Sequence, residues 1–193
     1  MKYCQPSGRP DRSKVHTIGA VILLLCGYVL TLAEPAAAQG AKEPLRVAVF
    51  DFELQDASHE GAIDGERPDQ TARLRLVSDE LRKLMGESDR FALVDTAPAR
   101  PIVAAKGPLI YCNGCDGDIA AGLGADYALT GLVYKVSNLI LEIHIHVRDA
   151  RSGRIVGKFA SSIRGNTDES WLHGIRWMFR NRLKTAEWRP DSR

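Results

Sequence analysis

The chain has 193 residues and a formal net charge of +2. Residues 1–38 contain four of the basic and two of the acidic residues, so the remainder is formally neutral. A neutral chain argues against general nucleic-acid binding. Its length is sufficient for one domain with its own hydrophobic core.

Residues 1–38 have the pattern of a signal peptide. A basic start (residues 2–14) precedes an apolar run (residues 18–33), and the small residues Ala36–Ala38 favour cleavage before Gln39. The run of 16 residues is slightly short for a membrane span of about 17–25 residues. The sequence therefore predicts a periplasmic or secreted protein. The alternatives are an uncleaved anchor or a lipoprotein modified at Cys26, with membrane contact only through this segment.

The first half of the exported part predicts a strand–helix–strand unit. Residues 45–52 are apolar at nearly every position, as in a strand buried on both faces. Residues 53–70 are acidic, lack periodicity and predict a long surface loop. Thr71–Met85 is an amphipathic helix ended by Gly86, and Phe91–Asp95 is a second strand. A unit of this size predicts a right-handed crossover between parallel strands.

The second half predicts an antiparallel meander closed by a helix. A short helix is expected at Asp118–Leu123. Three strand patterns follow, at Tyr127–Ser137, Leu139–Asp149 and Ile155–Arg164. The last helix is expected at Asp168–Lys184, with Asn166 and Glu169 as a capping-box-like start.

Together these elements predict an α/β (α+β) fold. The expected architecture is a single mixed sheet of about five strands with two main helices packed on it, in the order β-α-β-(α)-β-β-β-α. The predicted domain covers residues 45–186. It follows a linker at residues 39–44 and precedes a basic tail at residues 187–193.

Five stretches resemble a family of exported bacterial proteins of unknown function, the DUF2380/DUF3280-like proteins. They are Val49–Leu54, Asp56–Ser58, the pair Cys112 and Cys115, Leu123–Tyr127, and Gly165–Trp171. The order of elements is also similar to the TolB amino-terminal domain and to CsgG-type periplasmic domains. That similarity implies a small α/β module used in envelope protein–protein interactions, with no catalytic residues to carry over.

Cys112 and Cys115 form a Cys-x-x-Cys pair just ahead of the predicted short helix. A helix N-terminus stabilises a thiolate, which is why redox motifs lie there. In an oxidising compartment the same spacing also gives a disulfide without catalysis. A thioredoxin-type motif directly follows a strand, whereas residues 101–110 make a poor strand. We therefore expect a disulfide, and a thiol–disulfide redox protein is the alternative.

His144 and His146 share one face of the predicted fourth strand with Glu142 and Arg148. His-x-His on a strand is a spacing found in metal sites. No third ligand can be placed, so a half-exposed strand face is the favoured interpretation. A metal or small-ligand carrier is the alternative. No histidine follows Cys115 for haem attachment, and we expect no cofactor.

The last predicted helix has two different faces. Its apolar arc is predicted core and comprises Trp171, Leu172, Ile175, Met178, Phe179 and Leu183. Trp177 lies nearly opposite, with His173, Arg180 and Lys184 as helical neighbours. Trp177 is either a surface side chain covered by a stacked arginine or an anchor facing a partner, since Trp and Arg are enriched in interaction hot spots.

No reaction is indicated by the sequence. No Gly-rich phosphate loop follows the first strand, and no catalytic triad or carboxylate pair is evident. We therefore expect an exported accessory or binding protein, not an enzyme, that contacts unidentified envelope proteins and no nucleic acid. The expected contact regions are the surface around Trp177 and the loop after the first strand.

Overall fold

The computed structural model describes residues 43–188, which build one open sheet with side chains packed on both faces. The strands are β1 (Leu45–Val49), β2 (Glu53–Asp56), β3 (Phe91–Val94), β4 (Tyr127–Lys135), β5 (Ile140–Asp149) and β6 (Ile155–Arg164). The helices are α1 (His59–Asp64), α2 (Pro68–Gly86), α3 (Arg100–Lys106), α4 (Cys115–Gly122) and α5 (Asp168–Met178). The predicted fold class is confirmed.

The sheet is parallel on one side and antiparallel on the other. Its order is β3-β1-β4-β5-β6, and β2 also pairs with β4. β1 runs parallel to both β3 and β4, as expected for strands joined through a helix. β4, β5 and β6 form the predicted antiparallel meander. The last strand of that meander, β6, is therefore an edge of the sheet.

The prediction of one long loop at residues 53–70 was wrong. The segment forms strand β2, which pairs in parallel with the end of β4, and helix α1, whose Ser58 N-cap accepts a hydrogen bond from the Gly61 amide. The next helix, α2, begins at Pro68 and not at Thr71. No hydrophobic period revealed these elements, because polar contacts to β4 hold them.

The ends of two other helices also differ from expectation. α4 begins at Cys115, three residues before the predicted start. The side chain of Thr167, not Asn166, caps α5 by accepting from the Ser170 amide. Asn166 instead accepts a hydrogen bond from the Trp171 indole at 3.0 Å. α5 then passes into a π-helical turn at Phe179–Leu183.

The main core lies between the sheet and the helices α2 and α5. Its members include Val47, Val77, Leu81, Leu129, Ile143, Ile145, Trp171, Ile175 and Met178. A smaller cluster on the opposite face joins β1 and β4 to α4, through Ala48, Phe50, Ala120 and Ala128. The arc predicted as core on the last helix is buried except for the partly buried Leu172.

The packed domain extends beyond residue 186. Trp188, which we assigned to the tail, is 3% exposed and packs against the rings of Phe91 and Tyr127. A single aromatic residue after a charged stretch carries no periodic signal, so the sequence does not reveal that Trp188 joins the core. The predicted signal peptide, its cleavage site and Cys26 lie outside the described residues, as does the tail from residue 189 onwards.

Candidate functional site

A groove separates the edge strand β6 from helix α5. Its volume is about 480 Å³, in the range of small binding clefts. The residues that line it are Ser161, Ser162, Ile163, Arg164, Glu169, Ser170, His173, Gly174 and Trp177. Two of the four predicted contact residues, Trp177 and His173, thus lie at one groove.

Gly174 brings α5 close to the sheet beneath this groove. A Cβ atom placed there would lie 2.5 Å from Ile163 Cγ2 and 2.9 Å from Ile143 Cδ1, distances that real Cβ contacts do not reach. The helix therefore packs directly on β5 and β6 at this point, while Trp177 lies three residues further along. The close approach fixes the position of Trp177 relative to β6.

Trp177 remains accessible on the rim of the groove. The residue is 36% exposed, and the Arg182 guanidinium lies 5.7 Å from the ring centroid. The sequence suggested a stacked arginine but grouped Trp177 with Arg180. The π-helical turn after Met178 changes the helical spacing and so alters which arginine faces the ring.

Arg180 and Lys184 are exposed but do not line the groove. They lie in and just after the π-helical turn and extend a basic surface from the end of α5. Arg176 is different, since its guanidinium is paired with Glu80 of α2 at 2.6 Å. In the described C-terminal region, Trp177 therefore forms an aromatic rim, and Arg180, Arg182 and Lys184 form a cationic margin beside it.

Cys112 and Cys115 are joined by a disulfide, as the sequence predicted. Asn113 and Gly114 both have positive φ angles, 56° and 122°, which close the short turn between the cysteines. The motif is preceded by a 3₁₀ turn and by α3, not by a strand. The arrangement therefore lacks the strand that directly precedes a thioredoxin-type motif.

A buried ion pair fixes the helix that carries Cys115. Arg148 of β5 donates from Nε to Asp116 Oδ1 at 2.8 Å and from Nη1 to the Gly153 carbonyl at 2.7 Å. The same carboxylate oxygen lies 3.9 Å from Cys112 Sγ. A carboxylate beside a sulfur disfavours its thiolate, although Arg148 offsets part of this charge.

The histidines lie on the predicted polar face of β5 but have other partners. His144 Nε2 is 3.0 Å from Glu142 Oε2, and Arg148 is committed to Asp116. Burial lowers the pKa of His146, and the charge of Lys158 lowers it further. Within residues 43–188, no group of three potential ligands is arranged to hold a metal ion.

A charge cluster centred on Lys135 is not predicted by any pattern in the sequence. Its side chain is completely buried at the end of β4, and Nζ donates to Asp56 Oδ2 at 2.9 Å and to Glu60 Oε2 at 3.1 Å. Asn138 also donates to Glu60, at 2.7 Å. The sequence signals that could have indicated these ion pairs were a single lysine at the end of an apolar strand and the acidic residues of segment 53–70.

This cluster shifts the titration of both carboxylates. Burial raises the pKa of Asp56, but hydrogen bonds from Lys135 and Ser58 outweigh burial and hold the pKa below its ordinary 3.8. Hydrogen bonds from Asn138 and Lys135 hold the pKa of Glu60 below 4.5. The residues form a satisfied ionic network that ties β2 and α1 to β4.

The fold and its surface thus define a small mixed α/β domain with an open sheet edge and an aromatic groove. Residues 45–183 match the model of the family DUF3280, described as "Protein of unknown function (DUF2380)". The chain belongs to this family, as its motifs predicted. No curated protein matches the chain.

Several solved structures are similar to the chain. The LpoB C-terminal domain from Salmonella enterica is 14% identical with a TM-score of 0.46, over 66% of this chain and 87% of that one. Lipoprotein GNA1162 from Neisseria meningitidis is 14% identical with a TM-score of 0.45, over 74% and 99%. TolB from Acinetobacter baumannii is 12% identical with a TM-score of 0.37, over 68% and 26%. Similarities at this level identify neither a partner nor a reaction.

No helix within residues 43–188 is long and apolar enough to cross a membrane.

Proposed function

We propose that the protein is an exported accessory protein of the cell envelope that acts by binding another protein through the outer face of α5. The observation that carries the proposal is Trp177, held accessible beside the groove between α5 and β6. A tryptophan costs little side-chain entropy to fix and offers a large apolar area, so such residues dominate binding energies.

The surroundings of Trp177 indicate the chemistry of the partner. Arg182 lies against the ring, and Arg180 and Lys184 extend the cationic margin. A complementary surface would place an apolar side chain at the groove and acidic side chains along its margin. The predicted signal peptide supports an envelope location for this encounter.

Photo-crosslinking in cells tests the proposal. A photoreactive amino acid with an aromatic ring, which preserves the apolar area of the anchor, replaces Trp177 in one variant and Ile63 in the control. Ile63 is 69% exposed on α1 but lies outside the groove. We expect an identifiable envelope protein to be captured from position 177 and not from position 63.

Binding measurements with the captured protein complete the test. Trp177→Ala should weaken the affinity by about 30-fold or more, as for a hot-spot residue of about 2 kcal/mol. Ile63→Ala should leave it unchanged. An identified protein that binds wild type and Trp177→Ala equally well would show that α5 is not the contact surface.

A second candidate function is thiol–disulfide exchange at Cys112 and Cys115. One observation favours it: Cys115 lines a groove of about 370 Å³ with Pro98, Ile102 and Ile119, where an apolar polypeptide segment would have access. The Asp116 carboxylate near Cys112 opposes it. Insulin-reduction activity with a potential well above about −300 mV would support exchange, and a lower potential marks a structural bond.

A further inference from the structure

We infer that β6 binds an extended segment of the partner as an additional strand of the sheet, and that this segment alternates apolar and acidic residues. The inference rests on the proposed function and specifies the form of its partner. It is based on the hydrogen-bonding pattern, the length and the charge of β6.

The pairing of β5 with β6 determines which backbone groups of β6 are free. In an antiparallel pair, alternate residues direct both their N–H and C=O groups toward the neighbouring strand. The Gly165 amide donates to the Leu139 carbonyl at 3.0 Å, and Ile140 is opposite Arg164. Odd-numbered residues from Phe159 to Gly165 therefore bond to β5, and Lys158, Ala160 and Ser162 point their backbone groups away from the sheet.

The β4–β5 pair gives an independent check on this assignment. The Val136 amide donates to the Ile140 carbonyl at 3.0 Å, so even-numbered residues of β5 bond to β4. Odd-numbered residues of β5 then remain for β6, in agreement with the pattern above. A register irregularity beside Val147 ends the regular ladder near Gly157.

The free edge is long and poorly protected. β6 has ten residues and no proline, whereas the opposite edge strand β3 has four. Natural proteins usually shorten, bend or cover such edges because they template pairing with other chains. Here Lys158 is the single charge in the middle of the strand, and the groove leaves the Ser161–Arg164 end open.

The two faces of an added strand would meet different chemistry. Side chains that face α5 would contact the partly buried Phe159 and the groove beside Trp177. Ile163 faces the main core, so strand alternation directs the side chains of the exposed Lys158 and Arg164 to the other face, next to the second set of partner side chains. Because neighbouring residues of a strand point to opposite faces, the matching segment alternates apolar with acidic residues.

Charge favours a partner segment over a second copy of this chain. Ile155–Arg164 contains two basic residues and no acidic residue. Pairing β6 with itself would place the cations of both copies along one short interface, with no anion on either strand to compensate them. An acidic segment instead complements both Lys158 and Arg164.

The experiment uses the protein purified from cells and an alternating peptide, in which valine and glutamate follow each other in five repeats. One control replaces every glutamate of this peptide by lysine and so reverses the charge. The other is a block peptide of five valines followed by five glutamates, which keeps the composition but loses the alternation. We expect the alternating peptide to bind at least about tenfold more tightly than either control. Equal binding of the block peptide, or no binding of the alternating peptide, would overturn the inference.

Residue-resolved hydrogen exchange supplies the geometric test. In the free protein, the amides of Lys158, Ala160 and Ser162 should exchange quickly, and those of Phe159 and Ser161 slowly. Binding of the alternating peptide should slow the first group by about tenfold or more. Protection confined to α5 would show that the peptide binds without adding a strand.

Ala160→Pro removes one outward N–H and should abolish peptide binding, since proline is tolerated at edge positions whose N–H faces solvent. If this variant loses its folded circular dichroism spectrum, two peptides replace it, one N-methylated at every glutamate and the other at every valine. Only alternate residues of an added strand bond to β6, so one of these two peptides should lose binding. Retained binding of both would overturn the inference. A wild-type dimer that Ala160→Pro dissociates would identify a second copy as the occupant and also overturn it.

The failure of this inference is distinguishable from failure of the proposed function. If Trp177→Ala weakens binding of the crosslinked partner and Ala160→Pro does not, α5 is a contact surface and strand addition is wrong. If neither variant affects that partner, both proposals are wrong.

Discussion

Helices α1 and α5 pack against the same sheet but are held by different forces. α5 buries Trp171, Ile175 and Met178 in the main core. α1 buries no residue, leaves Ile63 69% exposed and is tied to the sheet through Glu60 and Lys135. The attachment of α5 is apolar and strong, and the sequence shows it as a helical period of apolar residues. The attachment of α1 is polar and depends on a few atoms.

The largest effect is expected from truncation of the apolar attachment. Trp171→Ala removes a fully buried ring and its hydrogen bond to Asn166, and should lower the free energy of unfolding by about 3–5 kcal/mol. Trp177→Ala is the matched control on the same helix and should cost about 1 kcal/mol or less. Urea unfolding measures both, and equal losses would contradict the assignment of the two faces.

Disruption of the polar attachment should lower the free energy of unfolding by a smaller amount, and its effect on amide exchange should be confined to α1. Lys135→Met leaves Asp56 and Glu60 without their buried cation, and should cost about 2–3 kcal/mol because both carboxylates keep some solvent contact. Amide exchange should accelerate in α1 and not in α5. Lys158→Met, at an exposed position of β6, is the control and should change stability by less than about 0.5 kcal/mol.

The same cluster should make the free energy of unfolding depend on pH in the acidic range. Because the pKa values of Asp56 and Glu60 lie below their ordinary 3.8 and 4.5, both carboxylates stabilise the fold above these values, and this stabilisation is lost as the pH falls through the lowered values. Lys135→Met should flatten this decline in a pH series of unfolding curves. An unchanged dependence of the unfolding free energy on pH would mean that Lys135 does not lower the pKa values of Asp56 and Glu60.

Loss of the disulfide should have a modest effect on stability. Replacing Cys112 and Cys115 by serine opens a very short loop, for which the chain-entropy model gives about 2 kcal/mol or less. The Arg148–Asp116 pair should keep α4 in place. A thermal melt of the double variant measures the loss, and unfolding at ambient temperature would show that the disulfide is essential to the fold.

The smallest effect is expected at Glu53. Burial raises the pKa of its carboxyl group, against hydrogen bonds from the backbone of Leu109 and Ile110. The folded state thus holds the proton to higher pH than the unfolded state, so stability decreases as the pH rises from 4.5 through the raised pKa. Glu53→Gln should raise stability slightly at neutral pH, by under about 1 kcal/mol, and have no effect in acid, where Glu53 is already protonated. Urea unfolding at both pH values measures the difference, and a variant less stable than wild type at neutral pH would contradict it.

What could be predicted from the sequence follows the same division of forces. The helix carrying Trp171, the meander and the Cys112–Cys115 bond each have a local or periodic signature, and the structure agrees with them. The contacts of Lys135 with Asp56 and Glu60 join residues about 75–79 positions apart. No local sequence pattern therefore predicts them. Trp188 was missed for the same reason.

The candidate site was only partly accessible to sequence reasoning. Helical spacing placed Trp177 and His173 on the outer face of α5, where they lie. The groove depends on the close packing of Gly174 against Ile163, and the stacked Arg182 depends on a π-helical turn. Neither feature follows from a helical period of 3.6 residues.

Amide exchange across β6, measured with and without the protein captured at position 177, shows whether the partner binds along β6 and α5. We expect the amides of Lys158, Ala160 and Ser162 to exchange quickly in the free protein and to become protected in the complex, together with the side of α5 around Trp177. Unchanged exchange at both β6 and α5 in a saturated complex would show that the partner binds elsewhere.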